Sequence, residues 1–138
     1  MGEFGRDQLL AKEELKIEKV PLSEEDFCFV RQMTARERDR FEQSLMREEK
    51  QADGKTEYKR NLGDFRAKLA VNTLCNKEGK NLLTTNDIGT LSQNMSAARI
   101  ELIVNASQKL NKISEEDKEN MVKNSEGGQT ADSDSDSV

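Results

Sequence analysis

Apolar and charged residues alternate along Leu15-Lys16-Ile17-Glu18-Lys19-Val20, the period of a strand with one face buried. Pro21 to Asp26 follows as a polar turn and contains the only proline. Phe27-Cys28-Phe29-Val30-Arg31-Gln32-Met33 is aromatic and β-branched and suits a second strand, so residues 15–33 read as an antiparallel hairpin. A lone hairpin is marginal in water and must lie on something else. Upstream, residues 1–14 form an arm in which Leu9 and Leu10 make a short helical turn or none.

Beyond Met33 the period becomes helical. Thr34 with Glu37 reads as a capping box, in which the hydroxyl accepts a first-turn N–H and the carboxylate returns to the cap. The helix it opens is expected to run to about Lys50, with Phe41 and Leu45 inward, before an exposed loop from Gln51 to Arg60. A second helix fits Gly63 to Asn76, with Phe65, Leu69 and Leu74 inward beside small Ala67 and Ala70. Asn76 to Asn81 is a turn, Leu82-Leu83 an apolar anchor, and Thr85 or Asn86 caps a brief helix through Leu91. The strongest pattern runs from Ser92 to Leu110, where Met95, Ala98, Leu102, Ile103, Ala106 and Leu110 form one apolar stripe. Ser114 with Asp117 caps a last helix, Glu115 to Lys123. The expected fold is therefore mainly α. It is a small helical bundle with an N-terminal β-hairpin, folded over residues 15–123, and a disordered acidic C-terminal tail over 124–138.

The 138 residues suit one domain, and 33% hydrophobic against 36% charged residues leaves a thin core. The net charge of −5 is uneven: residues 1–33 sum to −3, 34–112 to +4 and 113–138 to −6. That acidic balance argues against a dedicated duplex binder, whose affinity rests on phosphate neutralisation. In the tail, Asp132, Asp134 and Asp136 resemble the start of a calcium loop but lack its glycine and distal glutamate. No apolar run is long enough to span a membrane, and the first residues lack the apolar segment of a signal peptide, so a cytosolic protein is expected.

The absence of histidine removes His-based triads and the usual zinc ligand. Cys28 and Cys75 allow one disulfide or two buried thiols, and a chain that is not exported favours the thiols. Arg36-Glu37-Arg38-Asp39-Arg40 alternates in sign and continues through Glu42, Arg47 and Glu48, the pattern of a solvated face more than of a nucleic-acid patch. Glu115-Glu116-Asp117 fits helix-end electrostatics better than acid–base work. No phosphate loop, dinucleotide fingerprint, nucleophile elbow or metal spacing is present. Neither catalysis nor a cofactor is expected. The five methionines, notably Met33, Met46 and Met95, fill the core by default and could otherwise form an adaptable groove. With so few aromatics the chain is expected to leave apolar faces for a partner or a second copy.

The order of short motifs carries more information than any one of them. Val30-Arg31-Gln32-Met33-Thr34, Glu37-Arg38-Asp39 and Phe41-Glu42 resemble the start of the tail assembly chaperones of phages with long, non-contractile tails. Arg66-Ala67-Lys68-Leu69, Leu74-Cys75, Glu78-Gly79, Leu83-Thr84, Asp87 and Leu91 continue the resemblance. It ends on Leu110-Asn111-Lys112-Ile113-Ser114, Asp117 and Lys123-Asn124. The likeness spans about residues 15–124. It implies a protein that coats the helical, aggregation-prone tape measure protein, yields to the tail tube protein, and is absent from the finished virion. It also implies weak self-association and, in many genomes, a longer frameshifted form. The setting would be the cytoplasm of the bacterial host.

The motif positions Val30, Arg31, Met33, Thr34, Glu37, Arg38, Asp39, Phe41, Glu42, Arg66, Ala67, Leu69, Leu110 and Asn111 serve structure or partner binding on this reading. Met95, Leu102, Ala106 and Leu110 are the candidate apolar stripe for a tape measure helix. The alternative is a small phage or host regulator that binds nucleic acid through Arg36, Arg38, Arg40 and Arg47 of one Arg-rich helix.

Overall fold

A computed structural model describes residues 2–60, 64–113 and 116–117. Among them the chain is an α+β protein, not the mainly α bundle that the periodicity suggested. After a short helix α1 (Arg6–Leu10), strands β1 (Ile17–Pro21) and β2 (Phe27–Arg31) form the expected hairpin, with Ile17 opposite Arg31 and Pro21 opposite Phe27. The Gln32 side chain extends the ladder by accepting the Lys16 N–H at 2.9 Å, while the Gln32 N–H donates to the Lys16 carbonyl.

Helix α2 (Ala35–Ser44) starts on the predicted capping box. Glu37 N–H donates to Thr34 Oγ1 at 3.2 Å, and Thr34 N–H donates to Glu37 Oε1 at 2.9 Å. It ends well short of Lys50. Met46–Lys50 is instead strand β3, paired antiparallel with β4 (Thr56–Arg60), where a loop was expected. The Asp53-Gly54 turn explains the change. Gly54 takes a positive φ of 87°, its N–H donates to Gln51 O, and Asp53 Oδ1 accepts the Lys55 N–H. Met46, Arg47, the two glutamates and Lys50 of β3 are good helix formers, so this pairing with a β-favouring partner overrides a local preference.

Helix α3 (Phe65–Thr73) runs directly into a two-residue strand β5 (Leu74–Cys75), which joins the free side of β2 to give the sheet order β1-β2-β5. A 3₁₀ turn (Thr85–Asp87), capped by Thr84, leads into α4 (Ile88–Asn94). The single long helix expected from Ser92 to Leu110 is broken at Met95, whose ψ of 137° is extended. Ser96 Oγ then accepts the Arg99 N–H at 3.1 Å and caps α5 (Ala97–Leu110). The expected helix 115–123 and the tail 124–138 lie outside the described residues, apart from residues 116 and 117, which are helical.

The core lies between one sheet face and the helices behind it. Val20, Val30 and Leu74 from the strands meet Ile100, Ile103 and Val104 of α5, with Leu69 and Ala70 of α3 and Phe41 and Leu45 below α2. Thr73 and Ser107 pair their hydroxyls at 2.8 Å in the fully buried contact of α3 with α5. Small side chains there let the two helices approach closely.

Candidate functional site

Eight of the motif residues, Arg31, Met33, Thr34, Glu37, Arg38, Glu42, Leu110 and Asn111, meet at the corner where β2 hands over to α2. Arg31 ends β2 with only 7% of its surface exposed. A buried guanidinium needs its donors matched, and here they are. Nη1 and Nη2 form a bidentate pair with the Glu37 carboxylate at 3.0 and 2.7 Å. Nη1 also donates to Gln32 O, and Nε donates to Asn81 Oδ1 at 3.1 Å. The same carboxylate that caps α2 therefore neutralises Arg31, so the cap, the strand end and the 76–81 turn are one network. Burial alone would raise the Glu37 carboxyl. The hydrogen bonds from Arg31 and Thr34, with the Arg31 charge, outweigh it and hold the group below its ordinary value.

Asn111, just past α5, ties the far end of the chain into this corner. Its Oδ1 accepts the Met33 N–H at 2.7 Å, and its Nδ2 donates to Arg31 O and Ser107 O. Arg38 Nη1 donates to Asn111 O at 3.1 Å, while Arg38 Nε pairs with Glu42 at 3.0 Å. Two depressions flank the corner. A groove of about 740 Å³ has Arg31 and Thr34 on one wall and Lys77, Glu78 and Gly79 on another. A shallower one of about 280 Å³ runs between Met33, Ala35, Arg38 and Leu110.

The structure thus joins Arg31, Met33, Thr34, Glu37, Arg38, Glu42 and Asn111, with Leu110 beside them. Val30, Phe41, Ala67 and Leu69 lie in the core, Asp39 is exposed on α2, and Arg66 pairs with Glu101 on α5. Asn81 is the member of the network that sequence reasoning passed over as a turn residue; no spacing rule points to it.

The candidate stripe needs correction. The buried face of α5 is Ile100, Ile103, Val104, Ser107 and Gln108. Leu102 is 45% exposed, whereas Met95, Ala106 and Leu110 are half-buried against the core. Met95 shares a shallow depression of about 270 Å³ with Leu83, Leu91 and Arg99, away from Leu110. The four arginines of the alternative reading do not share one helix: Arg47 is in β3, and Arg38 is engaged by Glu42 and Asn111.

Burial pushes the Cys28 thiol up, helped by the nearby Cys75; it also raises Cys75, against the Arg31 charge. Both are free. Cys75 lies opposite Phe29 and so shares its face of the sheet, whereas Cys28, one residue along, points to the other face. Among the described residues, no group of three or more Cys, Asp or Glu is placed to hold a metal ion. No described helix is long and apolar enough to cross a membrane. Comparison with protein-family models, curated proteins and solved structures finds no match to the chain.

Proposed function

We propose that the chain is a phage tail assembly chaperone, which binds and solubilises the tape measure protein during tail morphogenesis and is not retained in the virion. One observation carries this reading: the motifs resemble the family's in order from Val30 to Asn124, and Arg31, Met33, Thr34, Glu37, Arg38 and Asn111 among them meet at one corner. A module defined by such a corner keeps it to hold its outer faces in a fixed relation. Those faces carry apolar side chains that a partner helix would cover, among them Leu102 on α5 and Leu82 ahead of the 3₁₀ turn. Exposed charge keeps the coated complex soluble, and many weak contacts let the tail tube protein displace the chaperone. The setting would be the host cytoplasm.

Co-expression with the tape measure protein of the same genome tests the proposal. The expected result is soluble tape measure protein that co-purifies with this chain, and less of it with Leu102→Asp at unchanged folding. Insoluble tape measure protein with nothing co-purifying would refute the reading.

A further inference from the structure

The geometry points to a second copy of the chain as the occupant of the outer edge of β1, in a symmetric antiparallel pairing centred on Ile17. Strand β1 is at the margin of the sheet order β1-β2-β5. Backbone groups of alternate residues point to opposite sides of a strand. The Gln32 N–H bonds Lys16 O and the Leu22 N–H bonds Asp26 O, so the even-numbered residues of β1 face β2. Ile17 and Lys19 therefore turn their N–H and C=O groups outward. Pro21, which has the same parity, closes the row with no N–H to offer. The edge is short but open, and Ile17 beside it is 37% exposed.

Charge selects both the occupant and the register. Four symmetric registers engage the outward groups of Ile17 and Lys19. Centring on Lys16 opposes two lysines, centring on Glu18 opposes two glutamates, and centring on Lys19 opposes two lysines and wastes a hydrogen bond on Pro21. Centring on Ile17 opposes no like charges and meets Pro21 only at Glu13, outside the central run. It sets Ile17 against Ile17 of the second copy and Leu15 against its Lys19. On the other face it sets Lys16 against its Glu18, and by symmetry Glu18 against its Lys16. Two opposite-charge pairs, a central apolar pair and every outward N–H of Leu15, Ile17 and Lys19 are used at once. The self-complementary run Leu15-Lys16-Ile17-Glu18-Lys19 is what an isologous interface requires.

The same register extends beyond the strand. It brings Glu13 opposite Pro21 of the second copy, whose ladder partner is the 48%-exposed Phe27. The arm bearing Phe4, Leu9 and Leu10, all exposed, is thereby led towards that ring.

Sedimentation equilibrium of the full chain, with charge reversal at two positions, tests the pairing. Wild type is expected to show a concentration-dependent dimer. Lys16→Glu and Glu18→Lys should each weaken it about tenfold, since each creates two like-charge pairs, and the double reversal should restore it. Lys19→Pro should abolish the dimer with an unchanged circular dichroism spectrum, because the amide it removes makes no bond within the sheet. For the register, Ile17→Cys should cross-link between copies under mild oxidation and Lys19→Cys should not, only the former being self-opposed. A monomer at every soluble concentration would overturn the proposal. So would a dimer indifferent to both single reversals, or cross-linking through Lys19→Cys alone.

Discussion

Arg31 is a cation held almost out of water, and it is tolerable there because Glu37 meets it with both carboxylate oxygens. Removing one partner of a buried pair leaves the other charge stranded. Glu37→Gln is therefore expected to cost about 3 kcal/mol in denaturant unfolding at neutral pH. The pH dependence follows from the lowered pKa. Its stabilisation is full above the ordinary carboxyl value of about 4.3 and is lost as pH falls through the lower folded value. Wild type should lose stability in that acid range, and Glu37→Gln should lose less there. Gln108 presents the opposite case. It is 3% exposed, and neither carboxamide atom has a partner among the described residues. Gln108→Leu is thus expected to raise stability by about 1–2 kcal/mol, read as a higher denaturant midpoint at constant slope. The Thr34–Glu37 box was legible as a local spacing rule. The Arg31, Asn81 and Asn111 contacts were not, because their partners are up to 80 residues apart and no local pattern encodes them.

Among elements, the β1–β2 hairpin was legible because alternation and a polar turn suffice to specify it. The others failed for distinct reasons. β3 is written in residues that suit a helix, and its strand state depends on β4 across the Asp53-Gly54 turn. The break between α4 and α5 rests on one serine, Ser96, inside an otherwise continuous apolar period. β5 has two residues, too few for any pattern. The turn after β5 provides a sharp test. Gly79 has a φ of 87°, and an added Cβ would approach Ile17 Cδ1 to 3.2 Å, whereas Gly54 has the same φ in open space. Gly79→Ala should destabilise by about 1–2 kcal/mol, and more than Gly54→Ala does, in paired melts. The thiols test the sheet register. Since Cys28 and Cys75 face opposite sides, no intramolecular disulfide should form on oxidation of the folded chain, and Cys75 should react with a thiol reagent only after unfolding.

At the scale of the whole molecule, the expected bundle with its N-terminal hairpin lacked the third strand β5, which turns that hairpin into a sheet, and the β3–β4 pair. The sheet adds a second layer to the core and places β1 at its margin. The buried hydrophobic residues fill the space between the sheet and α2, α3 and α5, while larger apolar side chains such as Phe4, Leu9, Leu82 and Leu102 stay exposed at scattered positions. Under the function proposed above, many copies would act along an extended client, each contributing a small contact. The most direct measurement is the mass of the complex purified after co-expression with the tape measure protein, by light scattering on a sizing column. One soluble tape measure chain carrying many copies of this protein is the expected result. A tape measure protein left in the pellet, or a complex with a single copy, would contradict it.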